Sequence, residues 1–192
     1  MKYYQTFFGH LWMILRHKAW VFHYSCKIGI PFRGLVHDLS KFSPVEFFES
    51  VRYYTGTSSP INACKADKGY SLAWQHHKGR NPHHYEYWLD RFDEGGVPIL
   101  IPFKYVAEMT ADWLAAGKAY RGKDFTFEGE YKWWQIKREQ VQKSMHPVII
   151  AYFDRAFKFM YIADEVPNKH FLEAIYCVEK ENYEKVCHQK QQ

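Results

Sequence analysis

Histidine is abundant and unevenly placed in this chain. There are 11 in 192 residues, and four fall within nine positions, as His76-His77 and His83-His84. The two pairs flank a turn in the segment WQHHKGRNPHHYEYW, residues 74 to 88. A turn between two short helical pieces can aim one imidazole from each side at a common centre. Imidazole is the commonest nitrogen ligand of first-row metals, so clustered histidines point to a cation. At least one of His76, His77, His83 and His84 is read as a ligand, with a solvated polar turn as the plain reading. Arg80 and Asn81 sit on the turn, where they can meet an anionic or polar substrate group.

Three further signals join this one. In GLVHDLSKF, residues 34 to 42, His37 and Asp38 are adjacent and Lys41 follows one turn later. Neighbouring imidazole and carboxylate groups at a helix end can both reach one cation. His17 lies inside an apolar stripe and therefore faces inward, where a hydrogen-bonded core histidine is the competing reading. His10 shares that face and is its rival, whereas His23 points elsewhere. Asp112 lies on the apolar helix PFKYVAEMTADWLAAGKAY, where a carboxylate is expensive to bury unless paired or bound to a cation. Glu108 is one turn earlier on the same side. Carboxylates at i and i+4 repel each other, which a cation or a Lys or Arg partner would relieve.

The elements that must hold these groups read as helices almost throughout. Residues 5 to 28 keep one stripe through His10, Met13, Ile14, His17, Trp20, Val21, Tyr24 and Ile28 at 3.6 residues per turn, ended by Gly29 and Pro31. A short turn carries Leu35 to Ser40. Ser43, Pro44 and Glu46 form a cap, a first-turn proline and a capping carboxylate for a helix over 44 to 54. Residues 55 to 69 read as a surface loop, and a short helix covers 71 to 78. After the turn at 79 to 82, another helix is expected from Pro82 to Phe92, then a loop around Gly95 and Pro98. Helices follow over 102 to 120, 128 to 143, 147 to 164 and on to about 187, and no strand pattern of any length appears. The expectation is an all-α protein: a helical core over residues 1 to 125 with a C-terminal helical extension, 126 to 192, packed on it.

Composition narrows the function classes. Aromatic residues make 19% of the chain, enough both to fill a core and to line a pocket. The net charge of +5 suits a small anionic substrate, while the scattered basic residues disfavour a nucleic-acid module. No apolar run is long enough to span a bilayer, and no secretory cleavage site follows the broken one at the start. Four widely spaced cysteines form no CxxC pair and read as reduced thiols, which fits the cytoplasm.

GLVHDLSKF resembles the HD-domain superfamily, whose motif is an apolar stretch, HD, an aliphatic residue, a small residue and Lys. From His17-Lys18 through HDLSKFSPVEF, AWQHHKGRNPHHYEYW and EMTADW, the chain also resembles a family of small bacterial and phage proteins with no established activity. The superfamily resemblance implies an all-α fold around one or two divalent metal ions (Mn, Fe, Co, Mg or Zn). It implies hydrolysis of a nucleotide or other small phosphate ester. Carried over by motif, His17, His37, Asp38, His77, His84 and Asp112 would be metal ligands. The seven-residue spacing from His77 to His84 is shorter than usual. A single metal on His17, His37, Asp38 and Asp112, with one pair binding substrate, is therefore the alternative.

Under this expectation the metal lowers the pKa of a bound water from about 15.7 towards 7. Asp38 orients the resulting hydroxide, Lys41 and Arg80 neutralise phosphate, and Glu108 shuttles a proton or is purely structural. The rival readings are a di-iron oxygenase on the same ligands and a helical binding module without catalysis. A homodimer through the last third of the chain is a further expectation.

Overall fold

Apolar periodicity and punctuation by proline and glycine dictate the chain path in this computed structural model, which describes residues 3–90 and 96–189. Helix α1 (Tyr3–Ile28) buries His10, Ile14, Val21, Tyr24, Ser25 and Ile28, the stripe expected from the 3.6-residue period. Gly29 turns the chain in the left-handed region, at φ +94°. Pro31 then opens α2 (Pro31–Val36), which lies tightly on α1. A Cβ on Gly34 would come within 2.5 Å of the Ser25 Cβ, so only glycine lets the two backbones approach this closely.

Next comes a 3₁₀ turn, Leu39–Phe42, then α3 (Pro44–Tyr53), capped by Ser43 Oγ, which accepts from the Glu46 amide. The segment expected to be a loop holds a helix, α4 (Pro60–Lys68). Its ends obey the usual asymmetry, with Pro60 in the first turn and Gly69 left-handed at the close. It packs on α3, and that tertiary support outweighs its polar, turn-rich composition.

Helix α5 (Leu72–Lys78) follows, capped by the Ser71 hydroxyl. The helix expected from Pro82 to Phe92 does not form. A 3₁₀ turn, Tyr85–Trp88, and a short strand β1 (Leu89–Asp90) take its place. The Trp88 indole donates to the Pro82 carbonyl at 2.6 Å, engaging an acceptor that a helix would give to its own ladder. Phe92 and Gly95 lie outside the described residues. β1 pairs antiparallel with β2 (Val97–Pro98), with Leu89 opposite Pro98.

Helix α6 (Phe103–Arg121) is the central element, buried on most of its circumference, and α1 packs along it. Helices α7 (Phe127–Val141), α8 (Pro147–Ala163) and α9 (Lys169–Gln189) complete an all-α architecture. One hydrophobic core joins α1 and α6 to these last three helices. It includes Trp134, Tyr152, Phe153 and Phe157, all buried, with the Trp113 and Phe153 rings stacked at 4.5 Å. Among the described residues, no helix is long and apolar enough to cross a membrane.

Candidate metal centre

The packing of α1 on α6 brings His17 against Asp112, with Nε2 3.0 Å from Oδ1. The end of α2 brings a second imidazole to the same carboxylate, His37 Nε2 lying 3.3 Å from Asp112 Oδ1. Lys18 helps fix this junction, its ammonium donating to the carbonyls of Leu35 (2.8 Å) and His37 (2.7 Å). Asp38 then adopts a left-handed backbone, φ +53°, which costs a non-glycine residue about 1 kcal/mol. Such strain collects where a side chain must be aimed. Here it turns the carboxylate back between two sets of histidines.

One oxygen of Asp38, Oδ2, lies 3.1 Å from His37 Nε2. The other, Oδ1, lies 3.4 Å from His77 Nε2 and 3.3 Å from His83 Nε2. His84 completes the second set, its Nε2 2.9 Å from that of His77. Two four-residue groups result: His17, His37, Asp38 and Asp112, and Asp38, His77, His83 and His84. Within each group one ligand atom per residue lies within 4.8 Å of the others. Asp38 belongs to both.

Chemistry and geometry both fit a cation. The Nε2 atoms of His17, His37 and His83 and both oxygens of Asp38 are buried and lack an aligned hydrogen bond, although their neighbours are close. Buried polar atoms are ordinarily satisfied, and leaving one unpaired costs about 1–3 kcal/mol. These five atoms sit in imidazole–carboxylate pairs around Asp38 and Asp112, a concentration of donors that a cation would satisfy. The nitrogen and oxygen donors suit borderline divalent cations.

Two glutamates set the orientation of the rings. Glu108 Oε1 lies 3.0 Å from His37 Nδ1 and 3.3 Å from His83 Nδ1, while Oε2 accepts from Arg33 Nε at 2.8 Å. Glu46 Oε2 lies 2.7 Å from His77 Nδ1, and its Oε1 lies 2.6 Å from His76 Nδ1. A carboxylate on Nδ1 holds the proton there and leaves the Nε2 lone pair for a cation. Asn81 is buried beside them, its amide donating to Ser40 Oγ and to the His77 carbonyl, each at 2.8 Å.

The electrostatics are those of a tightly coupled cluster. Burial would raise the Asp38 carboxyl, but His37, Lys41, His77 and His83 hold it well below the usual range. Asp112 is likewise held well below despite burial, through His17 and His37. Burial opposes ionisation of Glu108 too, yet His37 and His83 bring it down to about 2. His37 rises well above its ordinary value because Asp38, Asp112 and Glu108 outweigh its burial. His84 falls well below, through burial and the neighbouring His83 and His77.

A cavity of about 250 Å³ opens on the centre, with His17, Asp112, His77, His84, Glu46 and Lys41 in its wall. Lys41 Nζ lies 2.7 Å from Asp38 Oδ2.

All six residues singled out as ligands are therefore brought together: His17, His37, Asp38, His77, His84 and Asp112. His83 joins them, since both members of the second pair face the centre and only His76 of the first pair turns away. Glu108 is not in the cavity wall, and its oxygens are engaged by His37, His83 and Arg33. That geometry makes it a positioning residue for two imidazoles. Arg80 is exposed outside the cavity wall, and Asn81 braces the turn from within. Glu46, Lys18 and Arg33 escaped sequence reasoning. Glu46 looked like a capping carboxylate, and the two cations carried no motif of their own.

An all-α protein with a buried histidine–carboxylate cluster able to hold metal is the class these features define. The chain belongs to a family of unknown function, DUF5662, whose sequence model matches residues 6–158. That span contains both four-residue groups and Lys41. No curated protein and no solved structure matches the chain.

Proposed function

We propose that the protein is a metal-dependent phosphohydrolase of the HD type, acting on a nucleotide or another small phosphate ester. The carrying observation is the shared Asp38 carboxylate, set between two groups of buried imidazole and carboxylate donors and flanked by Lys41. One cation would be held by His17, His37, Asp38 and Asp112, and a second by Asp38, His77, His83 and His84. Bound divalent cations would supply Lewis acidity towards a phosphoryl oxygen and acidify water towards neutral pH. Five imidazoles against two carboxylates favour a transition cation over Mg²⁺.

The remaining work falls to the chain. Lys41 Nζ, at the cavity wall, neutralises a phosphate oxygen as charge develops. Glu108 and Glu46 keep the protons of His37, His83 and His77 on Nδ1. The apolar walls keep bulk water from the reacting group and strengthen the Lys41–phosphate attraction. The four cysteines, all free thiols, support a reducing compartment, the cytoplasm.

The test is to purify the full chain, measure metal by mass spectrometry, and assay phosphate release from nucleoside monophosphates and aryl phosphates with Mn²⁺, Co²⁺, Fe²⁺, Zn²⁺ and Mg²⁺. Metal-dependent release that disappears in His37→Ala and Asp38→Ala is expected. Metal content and turnover untouched by both substitutions would sink the proposal. The same imidazole-rich set also accepts two irons. Dioxygen consumption with visible absorption, and no phosphate release, would favour the oxygenase instead.

A further inference from the structure

His10 lies on the wall of the same cavity. It is only 7% exposed, yet its Nδ1 is buried without a partner, and neither ring nitrogen bonds to another described residue. Its ring instead packs near those of Phe47 and Tyr54, at 5.5 and 5.7 Å between centroids. A buried polar atom is ordinarily satisfied, so this nitrogen calls for a partner that a ligand in the cavity can supply. His10 precedes His17 by two helical turns on the same face of α1, so the two stand about 10 Å apart along the axis.

The same cavity is lined largely by apolar groups, among them Met13, Ile14, Ala73, Trp74 and Ala116, with Ser50, Ser59 and Tyr120 also in its wall. Among the described residues, Lys41 is the lysine of this wall and no arginine contributes to it. Its carboxylates, Glu46 and Asp112, are already engaged by histidines. The charge in the cavity thus matches one phosphate, and the rest of the space suits an uncharged body. At about 250 Å³ it falls below the roughly 300–1,000 Å³ typical of sites for drug-sized ligands, too small to enclose a dinucleotide.

Resting on the phosphohydrolase reading, we infer that His10 is a recognition residue. It hydrogen-bonds the distal polar group of a small phosphate monoester whose organic part is uncharged and about one ring in size. The phosphate lies at Lys41, the ring lies along Trp74 and Ile14, and a hydroxyl or similar group reaches the His10 imidazole. Burial and the nearby Lys41 charge lower the His10 pKa to about 4, so the imidazole is neutral and can both donate and accept.

Phosphonates, which are not hydrolysed, test this by calorimetric titration of the Mn²⁺-loaded full chain. The probes are methylphosphonate, phenylphosphonate, 3- and 4-hydroxyphenylphosphonate and 4-carboxyphenylphosphonate. The better hydroxyphenyl compound should bind about tenfold tighter than phenylphosphonate, and the carboxyphenyl compound more weakly than either. In His10→Phe the tenfold gap should shrink to within twofold, while His10→Gln keeps most of it and methylphosphonate binds all three proteins alike. Circular dichroism checks that the variants fold. A gap that survives in His10→Phe, no gap in the wild type, or a carboxyphenyl compound that binds equally well would overturn the inference alone. Failure of methylphosphonate to bind would overturn the phosphohydrolase reading, and this inference with it.

Discussion

Replacing Glu108 by glutamine is the most revealing perturbation of the centre, because it changes no volume and touches no proposed ligand atom. Glu108 Oε1 faces two imidazole Nδ1 atoms, those of His37 (3.0 Å) and His83 (3.3 Å), and Oε2 faces Arg33 at 2.8 Å. An amide cannot serve all three. If its oxygen faces the histidines, its NH₂ meets the Arg33 guanidinium, donor against donor. If the NH₂ faces the histidines, each Nδ1 must become an acceptor and the proton moves to Nε2, the atom left for the cation. His37 belongs to one four-residue group and His83 to the other. One substitution therefore weakens both. Loss of such an outer partner typically lowers metal affinity by about 10–100-fold, or roughly 1.4–2.8 kcal/mol per site. Competition titration against a chromophoric chelator, with circular dichroism to verify the fold, reads this directly. Two binding steps, each weakened at least tenfold, are expected. A folded E108Q protein with either step within twofold of wild type would refute the orienting role at that site.

Three other outcomes follow from the same geometry. Lys41→Met should lower kcat/KM by roughly 10²–10³ with bound metal unchanged by mass spectrometry; a loss under threefold would remove Lys41 from phosphate stabilisation. In chelator-treated protein, the His10 pKa of about 4 lies below its unfolded value of 6.5, so the unfolded chain takes up the proton first as pH falls. The contribution is complete above 6.5 and is lost as pH drops through about 4; of order 3 kcal/mol is at stake. Urea unfolding of wild type and His10→Phe between pH 7 and 4 should therefore show a shallower slope in the variant, and parallel slopes would contradict the assignment. Phe157, fully buried and stacked on Trp134, should cost about 3–5 kcal/mol when cut to alanine. A melting temperature lowered by about 10 °C is expected in scanning calorimetry, and a drop under 3 °C would mean that the α7–α8 core is not packed as described.

The long helices were legible in the sequence because each carries its own record of burial. The stripe through His10, Ile14, Val21 and Ile28 requires nothing outside α1 to be read, and the apolar circumference of α6 marks it as central. Helix α4 was missed because its composition is that of a loop, although Pro60 and Gly69 stood at the correct ends. The expected helix after Pro82 failed for the opposite reason. Its residues have acceptable propensities, but the Trp88 indole engages the Pro82 carbonyl. The first error comes from tertiary packing overriding a weak local preference, the second from a side-chain bond within the same short segment.

The ligands were readable for a different reason than their supports. A histidine in an apolar stripe or an aspartate in an apolar helix violates the local pattern, and the violation is visible from one chain segment. Glu46 breaks no rule, since a carboxylate three residues after a cap already has a local explanation. Only the return of α5 onto α3 shows its oxygens directed to His76 and His77. Arg33 and Lys18 are ordinary on their own helices for the same reason. His83 stood only as the alternative to His84, because a helix from Pro82 would turn adjacent side chains about 100° apart and aim one of the two at the centre. The extended backbone at His84 lets both neighbours reach the cluster, which an α-helix, turning about 100° per residue, does not. Groups that would touch the ions thus announce themselves through local misfit. Most groups that orient them, Glu46, Lys18 and Arg33, reveal that role only in the packing of distant segments, whereas Glu108 drew notice through its spacing to Asp112 while its hold on His37 and His83 emerges only in the fold.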